Sequence, residues 1–142
     1  CLVGSEMCIR DRKRRVAAMI RSMMQTYVTG SAEAVALYQK AFDAPLISEY
    51  KHEDGSYYHS ELVVYGQVLA VSERMESEES AAGNTMQFCL HFGKEERACV
   101  EKAYEALKDG ARILFPLGPC DFSSCLVDLI DRFGVRWCIF TD

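Results

Sequence analysis

QTYVTGSAEAVALYQKAF, residues 25–42, and QFCLHFGKEERACVEKAY, residues 87–104, decide the fold. In each, a short run of β-branched and aromatic residues gives way to a glycine. An amphipathic segment then follows, with apolar residues at helical spacing. In the first segment these are Ala34, Leu37, Tyr38 and Ala41. In the second they are Val100, Ala103, Tyr104 and Leu107. The two stretches lie about 62 residues apart, which reads as an internal duplication.

Working outward, each stretch continues in the same way. After the first helix, with Ser31 expected as its N-cap, Pro45 marks the exit. LISEYKH (46–52), YYHSELVVY (57–65) and VLAVSER (68–74) read as strands. Asp54-Gly55 suggests a type I′ hairpin turn, and Gly66-Gln67 a second turn. MESEESAAGN (75–84) is small and acidic, a solvated linker, and the acidic run from Glu73, at the end of the preceding strand, to Glu79 reads the same way. The second half adds TMQFCLHF (85–92), a helix ending near Gly110, and strands in ARILFPL, CLVDLID and VRWCIFT. PLGPCDFSS is expected as a loop over the cleft mouth, carrying Cys120 and flanked by Cys125. Each half is thus β-α-β-β-β. The expected fold is α+β: tandem modules forming a curved mixed sheet, helices on its outer face and a concave cleft within.

Charge narrows the function. The 142-residue chain carries −5 overall, yet residues 1–22 hold six basic and two acidic groups. The remainder holds 10 basic and 19 acidic groups. A body so acidic is a poor nucleic-acid binder. No apolar run approaches the ~18 residues of a membrane span.

The first residues, CLVGSEMCIRDR, resemble the in-frame translation of the end of a transposase adapter used in sequencing libraries. That resemblance implies that residues 1–12 are not native and that 13–18 are upstream read-through. The start would be Met19, Met23 or Met24, with one domain over 23–142, its modules about 24–74 and 85–142.

Tandem β-α-β-β-β modules in a chain this short resemble the vicinal oxygen chelate superfamily of glyoxalase I, bleomycin-resistance proteins and extradiol dioxygenases. YVTGSAEAVALYQKAFDA and the ending DRFGVRWCIF resemble its PhnB-like branch. The resemblance implies small-molecule binding in the cleft and a homodimer, and for its enzymes a divalent metal on the inner sheet face. Carried over position by position, the metal-ligand positions fall on Met24 or Gln25, on Ala70, on Met86 or Gln87, and on Cys138. Glu73 lies on the opposite strand face. No carboxylate is retained, so a hard divalent cofactor is possible only with atypical ligands.

Alternation along the strands puts Met86, Phe88, Leu90 and Phe92 toward the helices and Gln87, Cys89 and His91 toward the cleft. His59 and Glu61 share a cleft face, as do Arg136 and Cys138. The candidate cleft residues are His59, Glu61, Gln87, Cys89, His91 and Cys138. A His–Glu pair suits acid–base work; a Cys–His pair suits a soft metal or a nucleophile. Solvated histidines and packed cysteines are the plainer reading. Two classes stay open: a binding or sequestering protein, or a metal-dependent lyase, isomerase or dioxygenase of the glyoxalase type. A pure interaction module is a third. The expected setting is cytoplasmic.

Overall fold

The structure is a computed structural model and describes residues 17–142; the adapter-like residues 1–12 lie outside it. The elements are β1 (Met24–Val28), α1 (Ser31–Phe42), β2 (Leu46–Lys51), β3 (Tyr57–Val64), β4 (Gln67–Glu73), β5 (Phe88–Phe92), α2 (Arg97–Leu107), β6 (Arg112–Cys120), β7 (Ser123–Ile130) and β8 (Arg136–Thr141). Both halves are β-α-β-β-β, as the duplication requires.

The curved surface is made of two four-stranded sheets with matching orders, β1-β4-β3-β2 and β5-β8-β7-β6. β1 runs parallel to β4, and β5 to β8; the other pairs are antiparallel. β1 and β5 are therefore edge strands, and among the described residues no strand pair joins the sheets. The helices do. α1 packs on its own sheet and on α2, and its Phe42 ring lies 4.9 Å from that of Trp137 on β8. One core results, running from Val28, Tyr38, Leu62 and Leu69 to Leu129, Trp137 and Ile139. Burying such a continuous apolar set is what a single module could not do alone.

Asp131 joins the halves in polar terms. It is buried, and its Oδ2 accepts from the Tyr38 hydroxyl of α1 (2.7 Å) and from Trp137 Nε1 (3.0 Å). Its Oδ1 accepts from the backbone N–H groups of Phe133 (2.9 Å) and Val135 (3.1 Å). Burial first, then the Asp131 charge, pushes the Tyr38 phenol well above its ordinary range, so it stays a donor.

Several local expectations change. Ser31 does not cap α1: Gly30, at φ 88°, holds the N-cap position. The helix N-terminus is met instead by Glu73, whose carboxylate accepts from the N–H of Gly30, the N–H of Ser31 and the Ser31 hydroxyl, all within 2.9 Å. Ser31 Oγ in turn accepts from Tyr57 N–H. Burial alone would raise the Glu73 carboxyl, but the two N–H groups at the positive helix end outweigh it and hold it low. Glu73 thus belongs to the fold, not to the solvated linker.

The type I′ geometry sits at Tyr65-Gly66, both at positive φ. At Asp54-Gly55 only the glycine is left-handed, and a longer loop closes through His52 N–H to Ser56 O.

PLGPCDFSS is not a loop. β6 runs on to Cys120, with bulges around Phe115 and Gly118, and turns at Asp121-Phe122. Pro116 and Pro119 are tolerated because β6 is an edge strand with one unpaired side. Cys125 consequently lies buried in β7, not at a cleft mouth. β5 begins at Phe88, so Met86 precedes the strand and is 77% exposed, not core.

Candidate functional site

Each sheet turns one face to the helices and one away. On the first sheet Ser60, Leu62, Leu69 and Val71 are buried toward α1. His59 and Glu61 alternate with them and face outward. Ala70 is the register partner of Glu61, and Gln25 of Ala70. Gln25 donates to Ser72 Oγ at 3.2 Å.

Glu61 is the charged centre of this face. Arg21 grips it through two hydrogen bonds of 2.7 Å, and His59 Nε2 lies 3.0 Å away. Arg21 comes from upstream of Met23, a residue sequence reasoning set aside. Its guanidinium, and next His59, lower the Glu61 carboxyl to about 2. The folded value lies below the ordinary 4.5. The pairing therefore stabilises the fold above about pH 4.5 and is lost as pH falls toward 2. Replacing Arg21 with alanine should move the Glu61 carboxyl up toward its ordinary value. A carboxyl-carbon NMR titration of the full chain reads this directly, and an unchanged Glu61 would mean that Arg21 does not seat there.

On the second sheet Trp137, Ile139 and Leu90 point to the core. Cys89 and Cys138, register partners on parallel strands, share the outward face. Cys89 Sγ lies 3.7 Å from Gln87 Oε1. Burial, and then Cys89, push the Cys138 thiol up to about 11. Arg136 grips Asp128 on β7 through bonds of 3.1 and 2.8 Å. His91 shares the face but is engaged elsewhere. Its Nε2 lies 2.6 Å from Asp142 Oδ1, and its ring stacks 4.5 Å from Phe140.

The six candidates thus form two groups. His59 and Glu61 touch each other on one sheet. Gln87, Cys89 and Cys138 adjoin on the other, with His91 at its far end. Among the described residues no hydrogen bond or ion pair joins the groups.

Between the free edges of β1 and β5 lies a cavity of about 410 Å³, bordered by linker residues 81–86 and by the turn 133–136. Tyr27, Phe88 and Phe133 give it apolar walls, Arg74 and the Asp128-paired Arg136 stand at its edge, and no carboxylate is among its lining residues. Gln87 Nε2 is buried at this border without a hydrogen-bond partner among the described residues. Such a donor costs about 1–3 kcal/mol unless something accepts from it. Sequence reasoning found Gln87 but missed Tyr27, Arg74 and Asp128. Their roles depend on which edges and strands meet, which alternation along a single strand does not reveal.

No family model matches the sequence, and no curated protein matches it. Solved structures do. The PhnB protein from Bacillus cereus superposes with a TM-score of 0.74 at 22% identity, over 86% of this chain and 99% of its own. Protein PA1353 from Pseudomonas aeruginosa gives 0.69 at 20%, over 87% and 98%. The fosfomycin resistance protein FosX from Listeria monocytogenes gives 0.64 at 15%, over 88% and 94%. At these identities the likeness establishes the fold alone: a glyoxalase-like α+β architecture with paired modules.

FosX has also been solved with Mn(II). The residues here do not fit such an ion. The positions that the resemblance implies hold Met24 or Gln25, Ala70, Met86 or Gln87, and Cys138, and the described residues contain no group of three or more His, Cys, Asp or Glu placed to hold a metal. A hard divalent cation needs several oxygen ligands, carboxylates among them.

Proposed function

We propose that this protein binds a small organic molecule with an apolar, aromatic-sized body and an anionic or acceptor group, in the cavity between β1 and β5. The observation that carries this reading is the unpartnered Gln87 Nε2 at the border of a 410 Å³ space walled by aromatics and flanked by two arginines. The volume lies within the range of small-molecule sites, and few polar groups among apolar walls is their usual chemistry. Arg74 already donates to Tyr27 O at 2.6 Å, which fixes its guanidinium at the rim.

The outward faces support a second part of the proposal, a homodimer. Tyr27 and Tyr50 on the first sheet and Phe122 beside the second are more than half exposed. A second copy laid over these faces would bury them and bring the His59–Glu61 group of one chain toward the thiol face of the other. A sedimentation measurement should then give twice the mass of one chain. No described helix is long and apolar enough to cross a membrane.

The probe for the cavity is 8-anilinonaphthalene-1-sulfonate, an aromatic anion whose fluorescence rises in apolar surroundings. The full chain should bind one equivalent saturably. Gln87→Leu, which removes the donor at similar volume, should weaken binding at least tenfold, and Arg74→Met should weaken it too. Unsaturable binding, or binding unchanged in both variants, would overturn the reading.

A further inference from the structure

Cys89 and Cys138 form a second feature that the organic ligand does not use, since neither lines the cavity. They are in-register partners on the parallel strands β5 and β8 and project from the same face. Both are free thiols; within the single chain Cys89 is exposed and Cys138 half-buried. We propose that Cys89 and Cys138 form a two-thiolate site for a soft monovalent cation, Cu(I) or Ag(I).

The spacing carries the argument. Neighbouring strands lie about 4.8 Å apart, so in-register side chains leave the sheet at about that separation. A disulfide needs its Cβ atoms drawn in to about 3.8 Å, which two strands of one parallel ladder resist. A metal ion held linearly between two sulfurs needs them about 4.6 Å apart, twice a metal–thiolate bond of about 2.3 Å. From a ladder spacing of about 4.8 Å the two sulfurs reach that separation by side-chain rotation alone, without moving the ladder.

Ligand number then selects the ion. A structural zinc site wants four ligands, commonly with several Cys or His. Among the described residues two thiols converge here, and His91, the one described histidine on that face, is turned to Asp142. Two-coordinate binding by soft sulfur suits a monovalent d¹⁰ ion, and thiolates select Cu(I) over harder metals. Binding replaces two S–H bonds with two S–metal bonds, releases two protons and changes no oxidation state. The metal bis-thiolate carries one negative charge. Arg136, two residues before Cys138 on β8, is already paired with Asp128.

The site is complete within one chain. It needs neither the organic ligand nor a second copy, so either reading can fail without the other. The test is an anaerobic titration of the reduced full chain with Cu(I), with bathocuproine disulfonate competing and the ultraviolet thiolate–copper band recorded. One equivalent should be withdrawn from the competitor. Cys89→Ser and Cys138→Ser should each weaken that binding at least a hundredfold. Cys99→Ser and the double variant Cys1→Ser/Cys8→Ser should leave it within threefold. Cys89 is exposed, so its variant leaves the core untouched and its result stands even if Cys138→Ser folds poorly. Wild-type affinity in Cys89→Ser, or a loss that follows Cys1 and Cys8 instead, would overturn the proposal.

Discussion

Replacing Asp131 with alanine should cost about 3–5 kcal/mol and lower the melting temperature by roughly 10–20 °C. The side chain accepts four hydrogen bonds at one buried place: from Tyr38, from Trp137, and from the backbone of Phe133 and Val135. Alanine leaves those donors facing an apolar interior, and each buried unsatisfied group costs about 1–3 kcal/mol. Relaxation and entering water recover part of that sum. A domain of this size has only about 5–15 kcal/mol in all, so the change consumes a large share. Asn at 131 should fall between. One of its two terminal atoms still accepts, but its amide group now meets donors, so about half the bonds survive. Urea unfolding followed by Trp137 fluorescence measures both, and a loss below about 1 kcal/mol for alanine would contradict the joint described here.

Trp137→Ala should have an effect of similar size, about 3–5 kcal/mol, for a different reason. The indole is fully buried, with ring centroids 4.9 Å from Phe42, 5.3 Å from Phe88 and 5.5 Å from Tyr38. Those partners come from both modules, so the cavity left behind lies where the halves meet. Trp137→Phe separates the contributions. It keeps most of the packing and removes the Nε1 donor to Asp131, and it should cost only about 1–2 kcal/mol. Because Trp137 and Asp131 touch, the Asp131→Ala/Trp137→Ala double variant should lose less than the two single losses combined. Strict additivity would mean that the two residues act independently. Far-ultraviolet circular dichroism serves as the readout, since the tryptophan is gone.

The same residues show how much of this was written in the sequence. The repeat near residues 25 and 87 was legible because each helix carries its own apolar stripe. Those stripes are the ones the core buries: Ala34, Leu37, Tyr38 and Ala41, then Val100, Ala103 and Leu107. Strand alternation placed His59, Glu61, Cys89 and Cys138 on outward faces for the same local reason. What failed depended on distant partners. Glu73 looked like the first of an acidic run, yet the parallel pairing of β1 with β4 brings it to the N-terminus of α1. The prolines of PLGPC suggested a loop because nothing local says that β6 is an edge. Arg21 lay outside the expected domain, and only the folded chain seats it on Glu61. The cavity was least legible of all. It exists because the two sheets do not join at β1 and β5, and Gln87 gains meaning only beside that gap.

The most direct measurement is an amide ¹⁵N–¹H map of the full chain titrated with 8-anilinonaphthalene-1-sulfonate. The cavity between β1 and β5 predicts saturable shifts that are largest at Tyr27, Gln87, Phe88, Gly134 and Val135, with none in the turn at residues 53–56. Shifts centred away from those residues, or rising without saturation, would contradict it.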